Sequence, residues 1–571
     1  MPPTAYRRSE YLRSLWPWLP LWALAALLAI FAHGPMPLYS TRTLAVAWEM
    51  WSQHEWWVPH INGAPYSDKV PLLFWMIHAG WAVFGVNDVW PRVLEVVFGG
   101  AELMLLALLA RRLFPNRPWV AKAAPWMLLG LSYASFFGLQ IMYEVLLAVC
   151  VLAALNCLVP SDHRQEPRWL LFGLVIGAGL LTKGPVMLLH VAFPWLLGPL
   201  WSDWAAQHRG RWYGRGALAL LLGLAVLLAW ALPAGFLGGE DYRHRLFFSQ
   251  TADRVASSQA DHAAPFWWYL PMIPVLLFPF SGWPRAWAAL ATLRRPLDGG
   301  VRFALCWVLP VLVLFSLISG KQPYYPLPEF AGAALLLAGA IAALREQRPT
   351  LGNTAWLGTW PLGLGGLFFA LALAVLPNLV ASGRLEGHWL VSLSHYSRFF
   401  APVFALLGGL LLMRGRGEMR RLAFAGLVGT FVVHSLFTLA LWQNFDLRPT
   451  AHLLGDADRQ GRAIGNLGVY EGQYHFEGRL AHPIQHLHLG AELDDFVRQH
   501  PDGLVVAYMG QPSAADLRYA LLVQPFRGDW LAVWPAASLA DLHAGRTPAE
   551  PPRPTRVYPR DPWAFRQPPQ P

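Results

Sequence analysis

Apolar runs of roughly twenty residues recur along most of this 571-residue chain. A run of that length crosses a bilayer as one helix. Hydrocarbon leaves few other choices, because a helix satisfies its backbone polar groups from within. The runs predict about thirteen spans, near 16–33, 91–110, 118–137, 141–159, 168–182, 184–200, 216–236, 267–286, 302–319, 326–344, 355–376, 397–413 and 422–442. Only 14% of the residues are charged, against roughly 25% in soluble domains, which excludes disordered, fibrous and ordinary cytosolic chains. The first run follows Arg7, Arg8 and Arg13 as a signal peptide would. It lacks a small-residue cleavage site and reads as an uncleaved span. No internal repeat is visible.

The net charge of +10 is distributed in short clusters between the runs. No basic face and no zinc spacing points to nucleic acid. Arg111, Arg112, Arg117 and Lys122 follow the second span, and Arg164 and Arg168 the fourth. Arg209, Arg211 and Arg215 follow the sixth, Arg294 and Arg295 the eighth, Arg345 and Arg348 the tenth. Arg414, Arg416, Arg420 and Arg421 follow the twelfth. Basic exits after every even span put the N-terminus in the cytoplasm and the C-terminal tail outside. Cys150, Cys157 and Cys306 lie inside apolar runs and form neither a disulfide framework nor a metal cluster.

The chain thus divides into a multispan membrane domain, 1–442, and an extracytoplasmic C-terminal domain, 443–571. The long loops of the first part, 34–90 and 237–266, fall on the outer side. Within the first, 41–53 and 71–84 are too short to span and read as interfacial helices. In the tail, Leu504 to Met509 reads as a strand and Ser513 to Leu522 as a helix, which implies a small α/β domain. From about Thr547 the tail is Pro-rich.

A membrane enzyme acting outside the cytoplasm has no nucleotide donors and needs a lipid-borne one. The phosphate of such a lipid lies at the interface and requires fixed cations there. Several outer segments carry them: Arg42 beyond the first span, Asp68-Lys69 after the Asn62-Gly63 turn, and Lys183 in the turn Thr182 to Pro185. Arg254 precedes PFWWYLP, and Lys321 and Tyr325 stand in SGKQPYYPLP. Each alone also reads as a snorkelling or headgroup-facing charge. Their common side of the membrane is the informative point.

The segments WWVPHINGAPYSDKVPLLFW, LTKGPV, FF…R…PFWWYLP and SGKQPYYPLP, in this order, resemble the polyprenyl-phosphate-sugar glycosyltransferases of the protein O-mannosyltransferase superfamily. The pattern is most similar to the lipid A aminoarabinose transferases. The resemblance implies a C-type glycosyltransferase fold in the bacterial inner membrane. It implies transfer of a sugar from a polyprenyl phosphate to an envelope acceptor, whether lipid A, another glycolipid, a polymer or a protein. It implies that Arg42, Lys69, Arg254, Lys321 and Tyr325 surround the lipid phosphate. In the family an Asp-Glu pair precedes the first-loop Arg. Here Tyr39-Ser40-Thr41 stands before Arg42 and both acids are absent. Glu144, Asp68 and Glu49 are the carboxylates that could replace them, Glu144 foremost. No cofactor is implied by the residues themselves, and a divalent metal stays open. The His that some members place before the loop Arg has no match, the neighbourhood holding Gln250 and Thr251.

Two other readings remain at this level: a non-catalytic homologue that binds a lipid phosphate or a partner protein, and a transporter. Weak internal symmetry marks many transporters, and none is seen. The orientation has a direct check. A reporter active only in the cytoplasm, fused after residue 571, is expected to be silent; activity there overturns the predicted topology.

Overall fold

The computed structural model describes residues 19–138, 140–161, 166–249, 263–294, 296–415, 417–549 and 555–558. Each of the predicted spans holds helix. Among the described residues seven helices are long and apolar enough to cross a membrane, the longest being Arg209–Leu237, and shorter apolar helices accompany them. The two segments expected to lie along the interface are helices, Ser40–Ser52 and Leu72–Phe84.

Two broken spans bear on the site. The run 118–137 divides into Pro118–Gly130 and Ser132–Phe137, with Leu131 in extended conformation between them. The run 267–286 divides into Tyr269–Leu276, a short turn at Phe280–Gly282, and Pro284–Ala291. Pro274 and Pro284 supply no N–H to a continuing ladder. The breaks answer each other: the Ser132 amide donates to the Phe278 carbonyl at 3.0 Å. A backbone group freed from one helix is thereby satisfied by another, as hydrocarbon requires.

The chain forms two compact units. The first comprises Met1–Phe31, Ser67–Ala370 and Val403–Val432. In it Trp169–Lys183 packs closely against Arg209–Leu237. Small residues make the approach possible. A Cβ on Gly173 would lie 2.6 Å from the Ala219 carbonyl oxygen, and one on Gly177 would lie 2.6 Å from Val226. This small-xxx-small spacing lets backbones pack where lipid supplies no hydrophobic drive. The helices of this unit have two distinct ends. At one, the basic exits gather: Arg117 pairs with Glu346 at 2.8 Å and Asp298 at 3.6 Å, and Arg285 with Glu418 at 2.9 Å. At the other, Tyr143–Leu158 begins, Trp169–Lys183 finishes and Leu327–Gln347 begins. Helices of this length hold their ends roughly 22–32 Å apart.

The second unit comprises Ala32–Tyr66, Leu371–Pro402 and Val433–Pro571. The first-loop segment belongs to it. Asn62 and Gly63 both take positive φ, 53° and 78°, and close the hairpin of β1 (His60–Ile61) and β2 (Ala64–Pro65). The Asn62 side chain donates to the Ile484 carbonyl at 2.9 Å and accepts from the Ile484 amide at 2.7 Å. The Trp48 indole donates to the Leu480 carbonyl at 2.9 Å.

The centre of this unit is a mixed six-stranded sheet. The strands are β3 (Ile464–Leu467), β4 (Gln485–Leu487), β5 (Leu504–Met509), β6 (Leu522–Phe526), β7 (Asp529–Pro535) and β8 (Arg556–Val557), in the order β4-β3-β5-β7-β6-β8. Alternation splits β5 between two faces. Leu504 and Val506 pack with Ala451 and Leu454 of the helix Arg448–Arg459, whereas Val505 packs with Phe496. The predicted helix over 513–522 is shorter than expected. It runs Ala514–Tyr519, capped reciprocally by Ser513 and Asp516. It stops because Leu522 pairs with Val533 across β6 and β7.

The glycine packing of the first unit is testable. Gly173→Leu is expected to lower the melting temperature of the full-length protein in detergent, overpacking of this kind costing about 1–3 kcal/mol. Unchanged melting would show that the helix pair does not depend on the close approach.

Candidate functional site

The end of the first unit opposite the basic exits collects polar side chains from four separate segments. Glu144 lies in the first turn of Tyr143–Leu158, where the helix dipole favours a carboxylate. Lys183 lies in the last turn of Trp169–Lys183, where the dipole favours a cation. The two side chains form an ion pair at 2.7 Å, with Glu144 only 1% exposed and Lys183 13% exposed. The Lys183 ammonium also stands over the Tyr325 ring, 4.9 Å from its centroid. Lys69 approaches the Tyr143 ring at 5.8 Å. Glu144, Lys183 and Tyr325 are thus joined by direct contacts although far apart in sequence, and Lys69 stands over the ring of Tyr143, the residue before Glu144.

Other expected site residues have different surroundings. Asp68 is exposed. Lys321 is buried, and its ammonium donates to the carbonyls of Ala264 at 2.8 Å and Ser319 at 3.5 Å, and to that of Ile318. An ammonium has three N–H donors, and these carbonyls brace Lys321 within its own loop and against Ala264. Arg42 belongs to the second unit, where its guanidinium is paired with Glu471. Burial opposes its charge, but Glu471 and Tyr66 more than compensate and raise its pKa. The acid beside Arg42 therefore comes from far along the chain, which the local sequence could not disclose. Arg254, Gln250 and Thr251 lie outside the described residues.

Glu49, the third candidate acid, is buried in the second unit, and its side chain accepts from the Gly63 amide at 2.5 Å. It holds the hairpin turn. Burial raises its pKa from the ordinary carboxylate value, with the Gly63 amide working in the opposite direction.

Two further ionisable sites escape the sequence reading. Glu95, on Val89–Leu113, is fully buried near Met142 and Glu144. His190 pairs with Glu329 at 2.7 Å, and the Trp307 indole donates to the same Glu329 oxygen at 3.3 Å. Ionisable residues inside apolar runs are costly and were the available signal. Among the described residues no group of three or more His, Cys, Asp or Glu could hold a metal ion.

A pH test checks the structural role of Glu49. A carboxyl with a raised folded pKa contributes stability that is present below its unfolded pKa and lost as pH rises through the folded value. Glu49→Gln is expected to flatten the fall in melting temperature as the pH is raised out of the ordinary carboxylate range toward neutrality. An unchanged pH profile would remove Glu49 as its source.

Residues 68–230 match the family described as dolichyl-phosphate-mannose-protein mannosyltransferase. That stretch contains Asp68, Lys69, Glu144 and Lys183. The chain is 34% identical over 352 residues to the undecaprenyl phosphate-alpha-4-amino-4-deoxy-L-arabinose arabinosyl transferase of Pseudomonas aeruginosa strain PAO1, covering 60% of this chain and 61% of the relative. The match thus spans about three-fifths of that relative's length. The corresponding protein of Edwardsiella ictaluri is 28% identical over 428 residues, covering 71% of this chain and 75% of the relative. The crystal structure of ArnT from Cupriavidus metallidurans bound to undecaprenyl phosphate has a similar fold. Its TM-score is 0.64 at 19% identity, over 92% of this chain and 99% of that one.

Proposed function

We propose that this chain, similar in sequence to the lipid-linked-sugar glycosyltransferases and sharing the fold of ArnT, transfers a sugar from a polyprenyl phosphate to an envelope acceptor. The observation that carries the reading is Lys183, held between Glu144 at 2.7 Å and the Tyr325 ring at 4.9 Å. Lys69 joins it in presenting positive charge to the lipid phosphate. In the reaction an acceptor oxygen or nitrogen bonds to the anomeric carbon. The bond from that carbon to the phosphate oxygen breaks, and its electron pair stays on the phosphate. Fixed cations stabilise the charge that develops there.

The two acids take different parts. Glu144 is enclosed and paired, so it positions Lys183. Asp68 is exposed and is the carboxylate proposed to receive the acceptor proton. The relatives are named for a 4-amino-4-deoxy-L-arabinose donor, which makes that aminosugar the first donor to try; lipid A, which the sequence resemblance implies, is the first acceptor to try. The reaction takes place on the outer face of the inner membrane, with the N-terminus cytoplasmic and 443–571 outside. The non-catalytic alternative draws on the missing acids before Arg42.

Purified full-length protein, undecaprenyl-phosphate-linked aminoarabinose and lipid A, with products followed by mass spectrometry, test the reading. Asp68→Asn is expected to reduce transfer by roughly 10²–10⁴-fold, the range of acid–base groups. Lys69→Ala and Lys183→Met are expected to weaken binding of undecaprenyl phosphate. Wild-type binding of the lipid without transfer to any envelope acceptor would favour the non-catalytic alternative.

A further inference from the structure

The helix Ser132–Phe137 follows the break at Leu131 and contains no fully buried residue, although three of its six residues are aromatic. Its rings continue toward the cationic site. Tyr133 and Phe137 have centroids 4.6 Å apart, Phe137 and Tyr324 6.2 Å, and Tyr324 and Tyr325 5.4 Å. Tyr325 is the ring beneath Lys183. The Tyr133 hydroxyl is buried and has no hydrogen-bond partner among the described residues. It is within electrostatic reach of Tyr324, Glu144 and Tyr269.

The geometry points to a subsite for the donor's sugar ring, formed by Tyr133, Phe137 and Tyr324 beside the phosphate cations. This rests on the proposed transferase reading and extends it. A sugar ring presents weakly positive C–H groups on its flat faces, which suit the negative face of an aromatic ring. It also presents hydroxyl or amino groups at its edge. A buried tyrosine hydroxyl lacking a partner is unfavourable, and such an edge group would satisfy it. An isoprenoid tail could lie on the rings but could not satisfy the hydroxyl. Because the sugar is bonded to the phosphate, its subsite must adjoin the cations, and the ring sequence ending at Tyr325 does so.

The test compares two probes on the full-length protein: undecaprenyl phosphate, and the same lipid carrying 4-amino-4-deoxy-L-arabinose. Tyr133→Phe removes one oxygen, and Phe137→Leu provides a second variant, with thermal melting used to check that each is folded. Tyr133→Phe is expected to weaken binding of the sugar-bearing lipid about 10-fold, the scale of one lost hydrogen bond, Phe137→Leu to weaken it roughly 2–10-fold, the scale of one lost ring contact, and both to leave the bare lipid unchanged. Equal loss for both lipids would assign the rings to the tail and overturn the proposal, as would no loss for either. Equal wild-type affinity for the two lipids would overturn it as well. Binding requires no turnover. Retained discrimination in a protein that transfers no sugar would therefore sink the transferase reading and leave the subsite standing.

Discussion

The ion pair between Lys183 and Glu144 is the interaction around which the candidate site is arranged. Either charge alone would be expensive near hydrocarbon. Paired at 2.7 Å, at helix ends of the appropriate polarity, they compensate each other. The pair also fixes the end of Trp169–Lys183 against the start of Tyr143–Leu158, so the positive charge has a defined position. Tyr325 then limits where the ammonium can move. A phosphate arriving at such a cation meets charge that needs little reorganisation.

That precision depends on packing away from the site. Gly173 and Gly177 let Trp169–Lys183 lie against Arg209–Leu237, and Lys183 is carried at the end of the same helix. The breaks at Leu131 and near Phe278 have a complementary effect. They free backbone polar groups, satisfy them across the gap, and turn an aromatic half-helix toward the site. The second unit uses a different device. Hydrogen bonds from Trp48 and Asn62 tie the first-loop segment to residues near 480, while Glu49 holds the turn at Gly63.

The outline was legible in the sequence because its signals are local. Apolar runs locate helices, Asn62-Gly63 marks a turn, and Leu504 to Met509 reads as a strand. Lys69, Lys183 and Tyr325 could be singled out because charge and tyrosine in the loops and turns of one side are conspicuous. Elsewhere the deciding partner was remote. Lys321 donates to the Ala264 carbonyl, 57 residues earlier in the chain. The helix beginning near Ser513 yields to the strand at Leu522 because Val533 pairs there.

The sequence by itself determined a multispan helical protein, its loop charges, and the residue types available for binding an anionic lipid. These follow from the cost of placing backbone and charge in hydrocarbon, which each segment reveals on its own. Tertiary structure decided which charge meets which. It brought Glu144 to Lys183 and Glu471 to Arg42, across 39 and 429 residues. Pairing depends on which helix ends and loops are brought within a few ångströms, and no local pattern encodes that distance.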